Sequence, residues 1–234
     1  IELTKVDADY PDNKLTGAVF EVYADTNGNG EFDKDDKLCG EMTELEGGVY
    51  QMTELRYGKY FVREKTAPDG FVLDDGVYGV SIEENGKTYT VENKAGVGFI
   101  NDAQKGSLKI VKTSSDGKVE GFSFRVTSAD GYDQTFKTDK NGEIFIEGLR
   151  IGEYTVSEVS DSASAGYILP ADKQATVKTD STTIVEMHNE VRDTPKTGDD
   201  FNLGLWVSLA AASVIGAGIL GFVGFKKKKK EDRN

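Results

Sequence analysis

The sequence predicts an all-β protein: two tandem antiparallel β-sandwich domains, followed by a single C-terminal helix that crosses a membrane. Three observations carry this. Across residues 1–192, short runs of Val, Ile, Phe, Tyr and Thr alternate with Gly, Asp and Asn turns, and helical periodicity is almost absent. The same series of segments occurs twice. Leu203 to Phe225 form 23 residues without a charge, and Lys226 to Lys230 follow directly.

The strands are short and regularly spaced. Ala18-Val-Phe-Glu-Val-Tyr23, Gly58-Lys-Tyr-Phe-Val-Arg63 and Gly152-Glu-Tyr-Thr-Val-Ser157 are typical. Such spacing is that of sandwiches in which one face of each sheet is buried. The repeat is clear at several points. Leu3-Thr-Lys5-Val-Asp7 returns as Ile110-Val-Lys112-Thr-Ser114, and Leu55-Arg-Tyr-Gly58-Lys-Tyr60-Phe-Val-Arg-Glu64 returns as Leu149-Arg-Ile-Gly152-Glu-Tyr154-Thr-Val-Ser-Glu158. Phe99-Ile-Asn101 returns as Met187-His-Asn189. The first copy is longer, and the stretch from Asp25 to Lys37 accounts for much of the excess. The predicted organisation is domain 1 over 1–103, domain 2 over 104–192, a linker over 193–200, a span over 201–225 and a basic tail over 226–234.

Charge and cysteine content narrow the function classes. The net charge is -13. Residues 1–198 hold 22 basic and 37 acidic side chains, a net of -15. An acidic surface repels phosphate backbones, which argues against nucleic acid as a partner. Cys39 is the single cysteine, so no internal disulfide is available to domains of this size.

The C-terminal span reads as a membrane helix. At about 1.5 Å per residue it crosses a hydrocarbon core of roughly 30 Å. The lysines mark its far end as cytoplasmic, and Trp206 falls near the outer interface. A protein with this ending is exported. The chain opens at Ile1 without a signal segment, so its start is expected to be missing.

Strand alternation singles out three polar residues per copy. Period 2 places Leu3 with Lys5, Tyr60 and Val62 with Glu64, and Phe99 with Asn101. In the second copy it groups Ile110 with Lys112, Val156 with Glu158, and Met187 with Asn189. Each is a polar group at the end of an apolar face. Buried unpaired, such groups cost several kcal/mol, so they are expected to satisfy one another. Burial also lowers a lysine's pKa and raises that of a carboxylic acid, which turns the amine into a nucleophile beside a proton carrier.

Two resemblances extend this reading. At the repeated segments, and at Glu64-Lys-Thr-Ala-Pro68-Asp-Gly70-Phe71, the chain resembles the collagen-adhesin B-type, or SpaA-like, domain of Gram-positive adhesins and pilins. That implies a prealbumin- or immunoglobulin-like sandwich. It also implies self-catalysed isopeptide bonds, Lys5 to Asn101 promoted by Glu64 and Lys112 to Asn189 promoted by Glu158. The second copy departs from the Ala-Pro-x-Gly-aromatic signature, reading Glu158-Val-Ser-Asp-Ser-Ala-Ser-Ala-Gly166-Tyr167. At Thr194-Pro195-Lys196-Thr197-Gly198, with the apolar span and basic stop behind it, the chain resembles an LPxTG-like sortase sorting signal. That implies cleavage between Thr197 and Gly198 by a membrane transpeptidase, then transfer of Thr197 to a peptidoglycan precursor. Thr194 stands where Leu is usual, which leaves the sortase class open.

One further motif invites a metal. Asp25, Asn27, Asn29, Asp33 and Asp36 stand at positions 1, 3, 5, 9 and 12 of a loop with Gly30 at position 6, which is EF-hand-like spacing for calcium. A solvated Asp/Asn/Gly turn is the alternative.

The expected protein is therefore a non-enzymatic, secreted, wall-anchored stalk for adhesion. Its expected partners are sortase, the peptidoglycan precursor and, through a missing N-terminal region, host matrix or glycan. The alternatives are a pilin subunit polymerised by a pilin sortase, and the wall anchor of an upstream enzyme.

Overall fold

In a computed structural model of the chain, residues 1–193 are described. The sorting motif at 194–198, the span at 201–225 and the tail at 226–234 lie outside the described residues. The described part holds two β domains.

Domain 1 contains β1 (Glu2–Asp7), β2 (Val19–Ala24), β3 (Lys37–Glu41), β4 (Thr43–Glu44), β5 (Val49–Gln51), β6 (Gly58–Thr66), β7 (Val77–Ile82) and β8 (Phe99–Asn101). Its two sheets run β4-β5-β1-β8 and β3-β2-β6-β7. Domain 2 contains β9 (Lys105–Ser114), β10 (Ser123–Ser128), β11 (Asp133–Lys137), β12 (Glu143–Arg150), β13 (Gly152–Glu158), β14 (Tyr167–Ile168), β15 (Lys173–Val177) and β16 (Thr182–Val191). Its sheets run β12-β9-β16-β14 and β11-β10-β13-β15. The loop from Asp25 to Asp36 lies between β2 and β3, where the longer first copy required an insertion.

Each domain has its own core. In domain 1, Phe20 packs edge-on against Tyr50 and Phe99, with ring centroids 5.1 and 4.9 Å apart, and Tyr78 packs on Phe99 at 5.0 Å. Tyr50 is wholly buried, and its hydroxyl accepts the Ala18 N–H at 3.0 Å, so the phenol is satisfied inside the core. In domain 2, Leu108, Ile110, Phe122, Phe124, Val126, Val156 and Met187 are all closed to solvent.

The strand order corrects one expectation. The sandwiches are not wholly antiparallel. In domain 1 the first strand pairs with the last in parallel, with Lys5 beside Phe99 and Asp7 beside Asn101. In domain 2, β9 and β16 pair in parallel from Ser107/Thr182 to Ser114/Asn189. A parallel pair needs a long crossover, and the rest of each domain supplies it. Alternation along a strand reads the same in either direction, so sequence pattern does not reveal this.

Close approach of β8 to β1 depends on Gly98. Its φ is +131°, and a Cβ there would lie 2.8 Å from the Thr4 carbonyl oxygen. Gly96 also has positive φ, +71°, but a Cβ there meets nothing within 4 Å. Gly98→Ala should therefore destabilise the chain by more than about 1 kcal/mol beyond Gly96→Ala, read from paired denaturant titrations.

Candidate functional site

The six residues singled out by alternation gather into one buried set per domain. In domain 1, Lys5 on β1 is fully buried, and Glu64 on β6 and Asn101 on β8 are nearly so. The Lys5 ammonium donates to Asn101 Oδ1 in direct contact, and to the Phe99 carbonyl at 3.2 Å. It lies 3.5 Å from Glu64 Oε1 and 5.0 Å from the centre of the Phe99 ring. Asn101 Nδ2 donates to Glu64 Oε2 at 2.7 Å and to the Val72 carbonyl at 2.8 Å. One carboxylate therefore bridges the lysine nitrogen and the amide nitrogen. The Asn101 carbonyl oxygen is thus held by Lys5, and its amide nitrogen by Glu64.

Burial pulls the Lys5 pKa down to about 8, with the Glu64 carboxylate opposing that shift. The amine is thus closer to its neutral, nucleophilic form at physiological pH than an exposed lysine is.

The Pro68-Asp-Gly70-Phe71 signature explains how the site is closed. The Phe71 N–H returns to the Pro68 carbonyl at 3.1 Å, which turns the chain after β6. The next residues then cross to β8. Val72 N–H donates to the Asp102 carbonyl at 2.8 Å, Val72 oxygen accepts from Asn101, and the Asp74 N–H donates to Glu64 Oε2 at 2.9 Å. Asp74 in turn accepts from the Tyr78 hydroxyl at 2.8 Å and from Asn93 Nδ2 at 2.5 Å. Asn93 grips the β8 backbone through Ile100 N–H and carbonyl. Asp74 and Asn93 were not singled out by pattern, because neither lies at the end of an apolar strand face.

Domain 2 brings the same residue types together but leaves the set incomplete. Asn189 Nδ2 donates to Glu158 Oε1 at 2.6 Å. The Lys112 ammonium instead donates to the Thr113 carbonyl at 2.5 Å and lies 4.4 Å from the centre of the Phe122 ring. Asn189 Oδ1 and Glu158 Oε2 are buried without a hydrogen-bond partner. Burial lowers the Lys112 pKa and raises that of Glu158. The Lys112 side chain is turned away from Asn189, and the loop beside the set also differs. After Glu158 the chain turns through Asp161 and Ser164, which bond each other, and Asp161 accepts from Ser123; among the described residues no loop group bonds the Asn189 or Glu158 side chain as the Val72 carbonyl and the Asp74 N–H bond those of Asn101 and Glu64.

Most carboxylate oxygens of the Asp25–Asp36 loop accept hydrogen bonds from the loop itself, while Asp36 Oδ1 is buried without a partner. Asp25 accepts the Gly28 and Gly30 N–H groups at 2.7 and 2.9 Å. Asp33 Oδ2 accepts from Asn27 and Asn29, and Asp36 Oδ2 accepts the Asp33 N–H. Phe32 anchors the loop against Tyr23 and Phe61. Among the described residues, no three His, Cys, Asp or Glu side chains stand where they could hold one ion.

Paired prealbumin-like domains, each closed by parallel first and last strands over a buried lysine, are the class of protein defined here. The model of the SpaA prealbumin-like fold domain matches residues 1–95 and again 106–191. The chain belongs to that family. Among solved structures it is similar to the Bacillus anthracis TIE protein, at 24% identity and a TM-score of 0.60, over 82% of this chain and 33% of that one. It is also similar to the pilus adhesin SpaC from Lactobacillus rhamnosus GG, at 15% identity and a TM-score of 0.50, over 80% of this chain and 31% of that one. At these identities the likeness is one of fold, and the chain spans about a third of each of those proteins. No curated protein matches the chain.

A loop whose carboxylates are largely tied to its own N–H groups, and in which no three of them converge on one point, gains little from an ion. Calcium at millimolar levels should leave the melting temperature of the chain unchanged; a loop that binds it would show a rise that grows with calcium concentration.

Proposed function

We propose that this chain is the wall-proximal part of a sortase-anchored surface protein of a Gram-positive bacterium, and that its two domains form a stalk locked by isopeptide bonds. The observation that carries the reading is the contact of Lys5 with Asn101 under a shared Glu64. The surface role is supported by family membership and by a fold shared with a pilus adhesin.

The chemistry follows from the positions of the atoms. Lys5 passes a proton to Glu64, and the neutral amine attacks the Asn101 side-chain carbonyl carbon. Glu64 then gives that proton to the departing amide nitrogen, against which its Oε2 already lies, and takes up the second proton of the attacking nitrogen, so the new amide is neutral and the glutamate ends protonated. One C–N bond forms, one breaks, and ammonia leaves. Each glutamate acts once per molecule, so the chain turns over no external substrate. The product ties β1 to β8. A pull applied at the two ends of domain 1 then passes through Lys5 and Asn101 and bypasses the residues between them.

Anchoring is assigned to Thr194-Pro195-Lys196-Thr197-Gly198, with the uncharged span and the lysines holding the substrate at the membrane until the Thr197–Gly198 bond is cut. Thr197 is then carried by the peptidoglycan. Incubation of the chain with a sortase and an amine acceptor should release residues 198–234 as one fragment. Thr197→Ala should abolish that release; continued release from the variant would refute the assignment.

The locks are tested by intact mass of residues 1–192. With both bonds formed the protein should be lighter than its sequence by roughly 34 Da, two losses of about 17 Da each. Glu64→Ala and Glu158→Ala should each retain one loss. Because Lys112 has to leave the Thr113 carbonyl before it reaches Asn189, freshly folded protein should show the first loss before the second. Mass equal to the full sequence would mean that the triads are only buried polar partners.

A further inference from the structure

Two cationic side chains of domain 2, Arg150 and Lys105, meet carboxylates of domain 1. Arg150, at the end of β12, reaches back into domain 1. Its guanidinium lies 2.7 Å from Asp7 and 3.0 Å from Asp9, and sits 5.0 Å from the Tyr10 ring centre and 5.8 Å from that of Phe71. Lys105 adds a second contact to Asp9 at 3.0 Å. The Asp7 side chain is 2% exposed and that of Arg150 23%. Burial alone would raise the Asp7 carboxyl; Arg150 and the Asp9 and Tyr10 N–H groups hold it below its ordinary range. Paired carboxylates and rings thus form a socket at the end of the first strand of domain 1, and the Arg150 corner of domain 2 is its plug.

Domain 1 carries the same plug. Leu55-Arg56-Tyr57-Gly58 repeats Leu149-Arg150-Ile151-Gly152. The corners share their backbone: Gly58 and Gly152 both have φ +147°. Tyr60 donates its hydroxyl to the Arg56 carbonyl at 2.8 Å, as Tyr154 does to the Arg150 carbonyl at 2.9 Å. The difference lies in occupancy. Arg56 is exposed and has no ion-pair partner among the described residues, and Tyr57 is 67% exposed. Beside them opens a groove of about 780 Å³ whose apolar lining is Ile1, Met52, Leu55 and Ile82.

We propose that the Arg56 corner is an interaction surface for the socket end of a further domain of this type, joined to domain 1 as domain 1 is joined to domain 2. The required partner presents two carboxylates and an aromatic ring at the end of its first strand. A second copy of this chain does not fit. Its domain 1 socket is filled by Arg150, and its domain 2 has Ser114, Asp116 and Gly117 where domain 1 has Asp7, Asp9 and Tyr10. Asp116 is moreover held by Ser114 and by the Tyr167 hydroxyl. This inference rests on the repeated corner and is independent of whether either isopeptide bond forms.

The test joins a copy of residues 1–107 ahead of Ile1 of the full chain, so that Ile1 takes the place Leu108 has at the natural junction. Spin-label pairs across each joint, in a Cys39→Ser background, report how narrowly the distances are distributed. Both joints should be narrow. Arg56→Glu should lose the narrow distribution at the new joint only, and Arg150→Glu at the natural joint only. Asp9→Lys in the appended copy should reproduce the Arg56→Glu result from the other side. A broad new joint in the parent, or a new joint that stays narrow in Arg56→Glu, overturns the proposal. So does self-association of the unextended chain that Arg56→Glu abolishes, since that would assign the corner to a second copy.

Discussion

Everything in domain 1 is arranged around one constraint: a lysine, a glutamate and an asparagine lie inside an apolar sandwich. An unpaired charge there would be far more costly than any single core contact is worth, and breaking a buried pair leaves that cost behind. The domain answers with three strands and one loop. β1 brings Lys5, β6 brings Glu64 and β8 brings Asn101, while the 68–74 loop supplies the Val72 carbonyl to Asn101 and the Asp74 N–H to Glu64 Oε2, leaving Glu64 Oε1 with the Lys5 charge alone. Gly98 is required because β8 has to lie against β1 closely enough for the set to close.

Domain 2 shows what happens when the loop changes and the strands do not. Lys112, Glu158 and Asn189 are buried at the corresponding places, on corresponding strands. Yet Glu158 Oε2 and Asn189 Oδ1 lack partners, and Lys112 points its ammonium at the neighbouring Thr113 carbonyl. Strands place a side chain on a face; its rotation there, and the loop that crosses the end of the sandwich, decide which atoms meet.

Much of this was legible in the sequence, and the reasons are physical. Lys5, Glu64 and Asn101 betray themselves because a polar residue in phase with apolar ones along a strand has to point inward. The repeat makes the argument twice, with independent neighbours. Parallel pairing of β1 with β8 was not legible, since burial alternation carries no direction. Nor was the second set's broken geometry, which depends on a side-chain rotation within a face already fixed. The calcium-like spacing of Asp25 to Asp36 matches a ligand loop and a self-bonded turn equally well, because the same oxygens serve both. Arg150 with Asp7 was hidden for another reason. The partners are 143 residues apart, and at the position equivalent to Asp7 the second copy has Ser114.

The two distinctive features of domain 1, its buried set and its socket, are built on the same short loop. Gly70 gives its carbonyl to Gln104 of the junction, and Phe71 lies against the Arg150 guanidinium. One residue later Val72 holds Asn101, and two beyond that Asp74 holds Glu64. A disturbance of the joint is therefore felt within a few residues by the reacting groups, and a bond between Lys5 and Asn101 would stiffen the strand that ends in Asp7. Domain 2 spends its corresponding loop differently: Tyr167 bonds Asp116 within its own domain, at the place where domain 1 keeps a carboxylate for its neighbour. The Ala-Pro-x-Gly-aromatic signature is thus explained by two demands at once. It has to deliver backbone polar groups to the site and an aromatic ring to the joint, and the second copy, which lacks the signature, meets neither.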